Sequence, residues 1–584
     1  MHSLFRIVVP GILLLELAAC SGGGGAVGGA GGVRAGAPPR FSTAAGASLP
    51  SAWEDAARTS HVITLAGEVI PYTATAGHVT ATTPDGKVPE ASFFYVAYTA
   101  EGQDPARRPV TFYYNGGPGS STVWLHLGSF GPRRLATGDP ATTAQAPFPL
   151  VDNADCLLDT TDLVFVDAVG TGLSEAIAPN ANRVFWGVDA DAKVFRDFVR
   201  CWLAANGRQA SPFYLFGESY GTPRTAVLAN LLSEAGLAPA GIILQSSILD
   251  YNANGDAASS ASVAGFLPSY SAVGSWFHME FPLPADPVAF LQGMCDFTAA
   301  AYVPAVEAWN SKSKTPPSPA LAAKLQGDTG ISASLWEQQL NLLPNEFQKD
   351  LIPQTLLGRY DARVFAPADS PLASDGDPSS AFISPSFKAA ILGYLQDVLK
   401  YPDAAGYRIS GDAIDYWDFS HDGNALPDTI PDLAAALRRS PDMRVLSLNG
   451  YHDLATPFYQ TDLDLARLGA HPRLGIKHYR GGHMVYLDDV SRPLEKADMV
   501  AFYQASPGWT ATTWAAPGTA RFRPTFAPAP APALAPPQAP SAVPTGPLYD
   551  PYVPPAQRHP SLRPPTTGAD LDAQVEWKLA HPSK

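Results

Sequence analysis

Ser219, Asp453 and His483 are three side chains whose chemistry fits together in this sequence. A serine hydroxyl is a poor nucleophile at its own pKa and needs a base beside it. An imidazole can take its proton, and a carboxylate can orient the ring and stabilise the imidazolium that forms. Ser219 stands in Gly217-Glu218-Ser219-Tyr220-Gly221, after the apolar run 213–216 and before the helix-compatible segment 225–233. G-x-S-x-G between strand and helix is the setting of a sharp turn that lifts a serine hydroxyl clear of a sheet. Asp453 closes Asn449-Gly450-Tyr451-His452-Asp453 after the β-like run 443–448, and His483 follows the run 476–480 in Gly481-Gly482-His483. Taken singly, each has a plainer reading: an incidental serine in a tight turn, a loop cap, a turn histidine. Three suitable residues at three strand ends favour the joint reading.

Acyl transfer also needs donors for the negative oxygen that develops in the transition state. Asn115-Gly116-Gly117-Pro118-Gly119 follows the strand-like run 109–115, and Gly117 N–H is assigned as one donor. Tyr220 N–H, at the N-terminus of the helix after the serine, is the second. A phosphate-binding loop is the rival for these glycines; no G-K-[ST] follows, and the chain is acidic.

The elements that must carry these residues alternate. Runs 91–99, 109–115, 162–167, 213–216 and 241–247 read as strands, several of them continuous and apolar as in a strand covered on both faces. Residues 189–205 show helical spacing, with Val194, Phe195, Phe198, Val199, Trp202 and Leu203 on one face and Gly207 fitting a C-terminal cap. This implies a mostly parallel sheet flanked by helices. Short β-like runs over 61–83 suggest antiparallel strands at a sheet edge. From 252 to 440 helical segments dominate, such as 286–302, 318–325 and 386–399; Asp-Pro and Ser-Pro open the first two as N-cap and first helical residue. An insertion at this point is expected to cap the carboxyl ends of the strands, where ligands bind in open α/β sheets. The expected division is 51–251 and 441–513 for the two parts of the main domain, with 252–440 as the cap. A helix over 491–504 closes the domain.

The net charge of −15 disfavours nucleic-acid binding, and no basic stripe is present. Four cysteines are too few for a disulfide-built scaffold and show no metal-ligand spacing, so neither metal nor cofactor is expected. Cys156, Cys201 and Cys295 leave room for one bridge. Residues 1–19 read as an export signal, too short to span a bilayer. Leu17-Ala18-Ala19-Cys20 resembles the lipobox of bacterial lipoproteins, in which Cys20 becomes lipidated; the rival is an ordinary cleaved signal. A Gly/Ala-rich tether follows over 20–50. Both readings place the mature protein outside the cytoplasm, and the first gives it membrane contact through a lipid anchor. Residues 514–584 are Pro/Ala-rich and are expected as a mostly disordered tail, extended where proline dominates.

NGGPGSS (115–121), FVDAVGTGLS (165–174), GESYG (217–221), NGYHD (449–453) and GGHMV (481–485) resemble, in order and approximate spacing, the blocks of the serine carboxypeptidase family, specifically its bacterial branch. The resemblance implies an α/β-hydrolase fold with a largely helical cap insertion. It implies removal of single residues from peptide C-termini at acidic pH, through an acyl-enzyme on Ser219. It also implies that Asn115 and Glu218 bind the peptide's terminal carboxylate. The chemistry agrees, because a carboxyl donates a hydrogen bond to a carboxylate only while protonated, so Glu218 needs a raised pKa. Three positions depart from the family pattern: Ser129 replaces a second glutamate, Ser120 a cysteine, and Tyr486 a proline. Two rivals remain: an esterase or acyltransferase with the same triad, and a non-catalytic lipoprotein that binds peptides or envelope components.

Overall fold

The computed structural model describes residues 39–518, apart from 139–146, 253–263, 281, 283, 312–313 and 403, together with residues 568–580. Cys20 and the expected signal and lipobox lie outside the described residues. The main strands are β1 (Ala56–Leu65), β2 (Glu68–Thr82), β3 (Pro89–Ala100), β4 (Val110–Tyr114), β5 (Asp162–Val166), β6 (Phe213–Glu218), β7 (Gly241–Gln245), β8 (Arg444–Gly450), β9 (Leu474–Tyr479) and β10 (Thr513–Trp514). They form one sheet in the order β1-β2-β3-β5-β4-β6-β7-β8-β9-β10, with the short strand Glu175–Ala176 beside β3. β1, β2 and β3 are an antiparallel meander, and β3 runs antiparallel to β5. From β5 to β10 every pairing is parallel.

The central parallel strands β5, β4, β6 and β7 are buried on both faces, and alternation decides which side chain goes where. Tyr113, Phe165, Phe216, Ile243, Leu446 and Leu448 enter one apolar layer. Phe112, Tyr114, Val164, Leu215, Leu244 and Val445 enter the other. Helices α1 (Val123–Gly128), α2 (Val188–Ala205) and α3 (Gly221–Glu234) follow strands of the first half. The apolar face expected on 189–205 is buried: Val194, Phe195, Phe198, Val199, Trp202 and Leu203 all enter the second layer. This strand order, with helices on both faces and a nucleophile-type turn after β6, is the α/β-hydrolase fold.

Between β7 and β8 lie α4 (Leu267–Trp276), α5 (Pro287–Phe297), α6 (Val303–Asn310), α7 (Pro319–Thr329), α8 (Pro378–Gly393) and α9 (Ile430–Arg439). The Asp-Pro and Ser-Pro signals are real caps. Asp286 accepts from Val288 N and Ala289 N, both at 3.1 Å, and Ser318 accepts from Leu321 N at 3.2 Å. A small antiparallel hairpin, Thr355–Leu357 with Phe365–Pro367, interrupts the helices; it is too short to register as a buried run. Much of this insertion has its own core, around Tyr270, Trp336, Leu340 and Phe347. The pattern-based limit at 440 is too late, because Ile430, Leu433, Ala436 and Leu437 of α9 are buried in the sheet's own apolar layer. A helical pattern cannot by itself tell a cap helix from a crossover helix.

After β8 come α10 (Phe458–Ala466), α11 (Ser491–Gln504) and α12 (Gly568–Ala580). The expectation for the tail misses α12, whose Leu571 and Val575 are buried in the layer that holds α9. Averaging composition over 514–584 hides a proline-free segment near its end. Cys156, Cys201 and Cys295 are all buried and free, so none of these three pairs with another.

Candidate active site

The turn from β6 into α3 puts Ser219 in the left-handed region, with φ 58°. A non-glycine residue there stores about 1–3 kcal/mol of strain, held only because the surroundings fix it. Ser219 N donates to Gln245 O at 3.0 Å, while Ser219 O accepts from Thr222 N at 2.8 Å and Thr222 Oγ1 at 2.7 Å. Gly217 has no alternative: a Cβ there would sit 2.1 Å from Gly221 O and 2.3 Å from Thr225 Oγ1.

Asp453 and His483 follow β8 and β9. His483 Nδ1 lies 2.8 Å from Asp453 Oδ2, and both residues are buried. The carboxylate therefore fixes the proton on Nδ1 and leaves Nε2 as the basic nitrogen. Asp453 Oδ1 accepts from Ala455 N at 2.7 Å and Thr456 N at 3.0 Å, and Oδ2 accepts from Thr456 Oγ1 at 2.8 Å. The histidine backbone is held as well: Ser246 Oγ donates to His483 O, and His483 N donates to Tyr360 O, both at 2.6 Å. Burial alone would lower the His483 pKa; the Asp453 and Glu218 carboxyls outweigh it, and the net shift is upward.

Ser219 and His483 line one cavity of about 210 Å³, together with Asn115, Gly116, Gly117 and Glu218. The structure therefore brings the serine and the histidine–aspartate pair to one place. Gly117 has φ +108° and lines the same cavity. The side chain of Tyr220 does not line it. Its ring is buried against Trp417 and Tyr251, and its backbone opens α3 beside the serine.

Asn115 and Glu218 meet directly: Asn115 Nδ2 donates to Glu218 Oε1 at 2.7 Å. Asn115 Oδ1 accepts from Leu125 N at 3.1 Å, which fixes the amide's orientation. Burial pushes the Glu218 pKa up to about 7. The neighbouring His483, the Tyr486 hydroxyl and Asn115 pull it down, and Asp453 adds to the rise. Ser129, by contrast, takes no part. It is fully buried just past the end of α1, and its hydroxyl donates to Leu125 O of that helix at 2.6 Å.

The serine carboxypeptidase family profile matches residues 66–246, the segment that holds NGGPG and GESYG. Over that segment the chain is similar to the serine carboxypeptidase family. No curated protein matches the chain. Among solved structures, it is 15% identical to proline iminopeptidase of Mycobacterium smegmatis, covering 73% of this chain and 98% of that one, at a TM-score of 0.30. It is 13% identical to the juvenile hormone epoxide hydrolase of the silkworm Bombyx mori, covering 74% and 78%, at a TM-score of 0.28. A fungal esterase from Rhizomucor miehei is 10% identical, covering 77% and 84%, at 0.27. At these scores the likenesses bear on neither substrate nor mechanism.

Several cavity residues carried no sequence signal. Trp124, Tyr360, Ser380, Ser384, Ile409 and Ile414 are part of the wall. Most come from the insertion, where only helix pattern was readable. Thr456 had a weak signal: three residues after a loop aspartate, its side chain can turn back to that carboxylate.

Proposed function

We propose that the chain is a serine-type carboxypeptidase that removes C-terminal residues from peptides. Ser219 Oγ attacks the last peptide carbonyl while His483 Nε2 takes its proton. Gly117 N–H and Tyr220 N–H receive the oxyanion. His483 then protonates the leaving amine, the C–N bond breaks, and the acyl group remains on Ser219. A water deprotonated by His483 attacks the ester, releasing the shortened peptide and restoring the serine.

The observation that carries this reading is the Asn115–Glu218 pair beside Ser219. An amide N–H and a carboxyl that stays protonated into the neutral range are two donors fit for a substrate carboxylate. Of the charged residue types, only Glu218 and His483 line the cavity among the described residues, so the preferred side chains are uncharged. Offering a blocked dipeptide and its C-terminal amide side by side tests the proposal. Preference for the free acid supports it, and equal turnover of both sinks it.

The second reading, an esterase or acyltransferase on the same triad, is favoured by Ser129, which leaves the cavity without a second carboxyl from that turn. It expects ester turnover with no preference for a free terminal carboxylate. Export and anchoring through a lipidated Cys20 belong to the same proposal and rest on the sequence of the N-terminus. Mass spectrometry of the purified N-terminus tests them.

A further inference from the structure

We propose that Arg224, paired with Asp191, is a positioning residue that holds the oxyanion turn against the serine turn. The inference rests on Ser219 being the nucleophile. Arg224 is fully buried in the first turn of α3. Its Nε donates to Asp191 Oδ2 at 2.6 Å and its Nη2 to Asp191 Oδ1 at 3.3 Å. The remaining arm, Nη1, donates to the backbone oxygen of Asn115 at 2.8 Å. The guanidinium also lies 4.5 Å from the centre of the Phe195 ring and 5.4 Å from that of Tyr220. One rigid planar group therefore ties together α3, the first turn of α2 and the turn 115–119.

The consequence runs through a peptide plane. Asn115 O and Gly116 N–H belong to one planar unit, so fixing the oxygen fixes how the chain leaves β4 and where Gly116 and Gly117 lie. The clearance is small: a Cβ on Gly116 would stand 2.4 Å from Tyr220 N and 2.8 Å from Glu218 O. The side chain of Asn115 is committed to Glu218 and Leu125 N. A misplacement of about 1 Å in such a group costs about 10²-fold in rate. Stability is a weak reason for the ion pair, since buried pairs can often be replaced by apolar residues without loss. An apolar pair cannot supply the bond to Asn115 O.

The test uses the full chain, Arg224→Met, and the double variant Asp191→Leu/Arg224→Met, which removes both charges together. The readouts are kcat and KM on a chromogenic ester, affinity for an alkyl boronic acid that forms a tetrahedral adduct on serine, and thermal midpoint. The double variant is expected to stay folded with KM near that of the unaltered protein, while kcat and boronate affinity each fall about 10–100-fold. A folded double variant with both quantities within about twofold overturns the proposal. If that variant does not fold, Arg224→Lys replaces it. Lysine keeps a charge for Asp191 but cannot span Asp191 and Asn115 O as a planar fork. Unchanged kcat in folded Arg224→Lys overturns the proposal equally. Labelling of Ser219 by an organophosphonate in the unaltered protein is read separately. Its failure sinks the nucleophile, whereas labelling with a silent double variant sinks only Arg224.

Discussion

The amide of Asn115 donates to the carboxyl of Glu218 at 2.7 Å, in the wall of the Ser219 cavity. Burial holds Glu218 protonated up to about pH 7, and in that form it can donate to a substrate carboxylate. Above that pH it ionises and repels the same group. Peptide release is therefore expected to fall as pH rises past neutrality, while ester hydrolysis, which needs no carboxylate binding, persists. Both activities fall on the acid side, because His483 must be neutral and its pKa is raised above the usual 6.5. Profiles of kcat/KM against pH on a blocked dipeptide and a simple ester check this. Glu218→Gln, neutral at every pH, should remove the alkaline fall. Asn115→Ala should cost roughly 1.5–3 kcal/mol in peptide binding and spare the ester.

Ser219→Ala should lower turnover by about 10⁶ on every substrate. Thr456→Val is a finer probe. It removes one donor to Asp453 Oδ2 at 2.8 Å and leaves the two backbone donors to Oδ1 in place. A hydrogen bond to a charged group is worth about 1.5–3 kcal/mol, so kcat should fall by about one to two orders of magnitude. KM should change little. Steady-state kinetics on the ester reads both quantities.

Much of this site was legible because its residues sit at strand ends, and strands announce themselves by apolar runs. Gly217 and Ser219 could be read as a strained turn because the run 213–216 stops there, and the φ of Ser219 is what that setting requires. Asp453 and His483 were readable for the same reason. Tyr360, Ser380 and Ser384 were not, since they reach the cavity from an insertion whose pattern gives helices but no packing. Arg224 and Asp191 are 33 positions apart on two helices, and nothing in either helix's periodicity pairs them.

Glu495 on α11 is fully buried, and its pKa is raised well above the ordinary carboxyl value of 4.5. Burial is the main cause; Glu218, Asp498 and Asp488 add to it, and Arg492 opposes it. In the unfolded chain the group ionises near its ordinary value, so the folded state binds the extra proton above that pH. The sign follows: stability is full below about 4.5 and is lost as pH rises toward the raised value. Glu495→Gln cannot ionise, so its thermal midpoint should decline less between pH 5 and pH 8 than that of the unaltered protein. Parallel melting curves across that range would contradict the assignment.

The last prediction concerns the docking of α12. Lys578 Nζ donates to Asp432 Oδ1 at 2.8 Å and pairs with Asp422, while His421 Nε2 lies 2.9 Å from Asp432 Oδ2. Lys578 and Asp432 are both buried, so the lysine neutralises a carboxylate that water cannot reach. Breaking a buried pair from one side costs about 3–5 kcal/mol. His421, whose pKa is raised to about 10 despite burial because of Asp432 and Asp189, stays as a second cation and should reduce that cost. Lys578→Met is thus expected to destabilise by about 1–3 kcal/mol, below that range. Removing residues 568–584 should cost more, because Leu571 and Val575 leave the core and each buried aliphatic side chain contributes about 1.5–3 kcal/mol. Denaturant unfolding of the two variants reads both. A truncated chain as stable as the full one would mean that α12 contributes nothing to the fold it packs against.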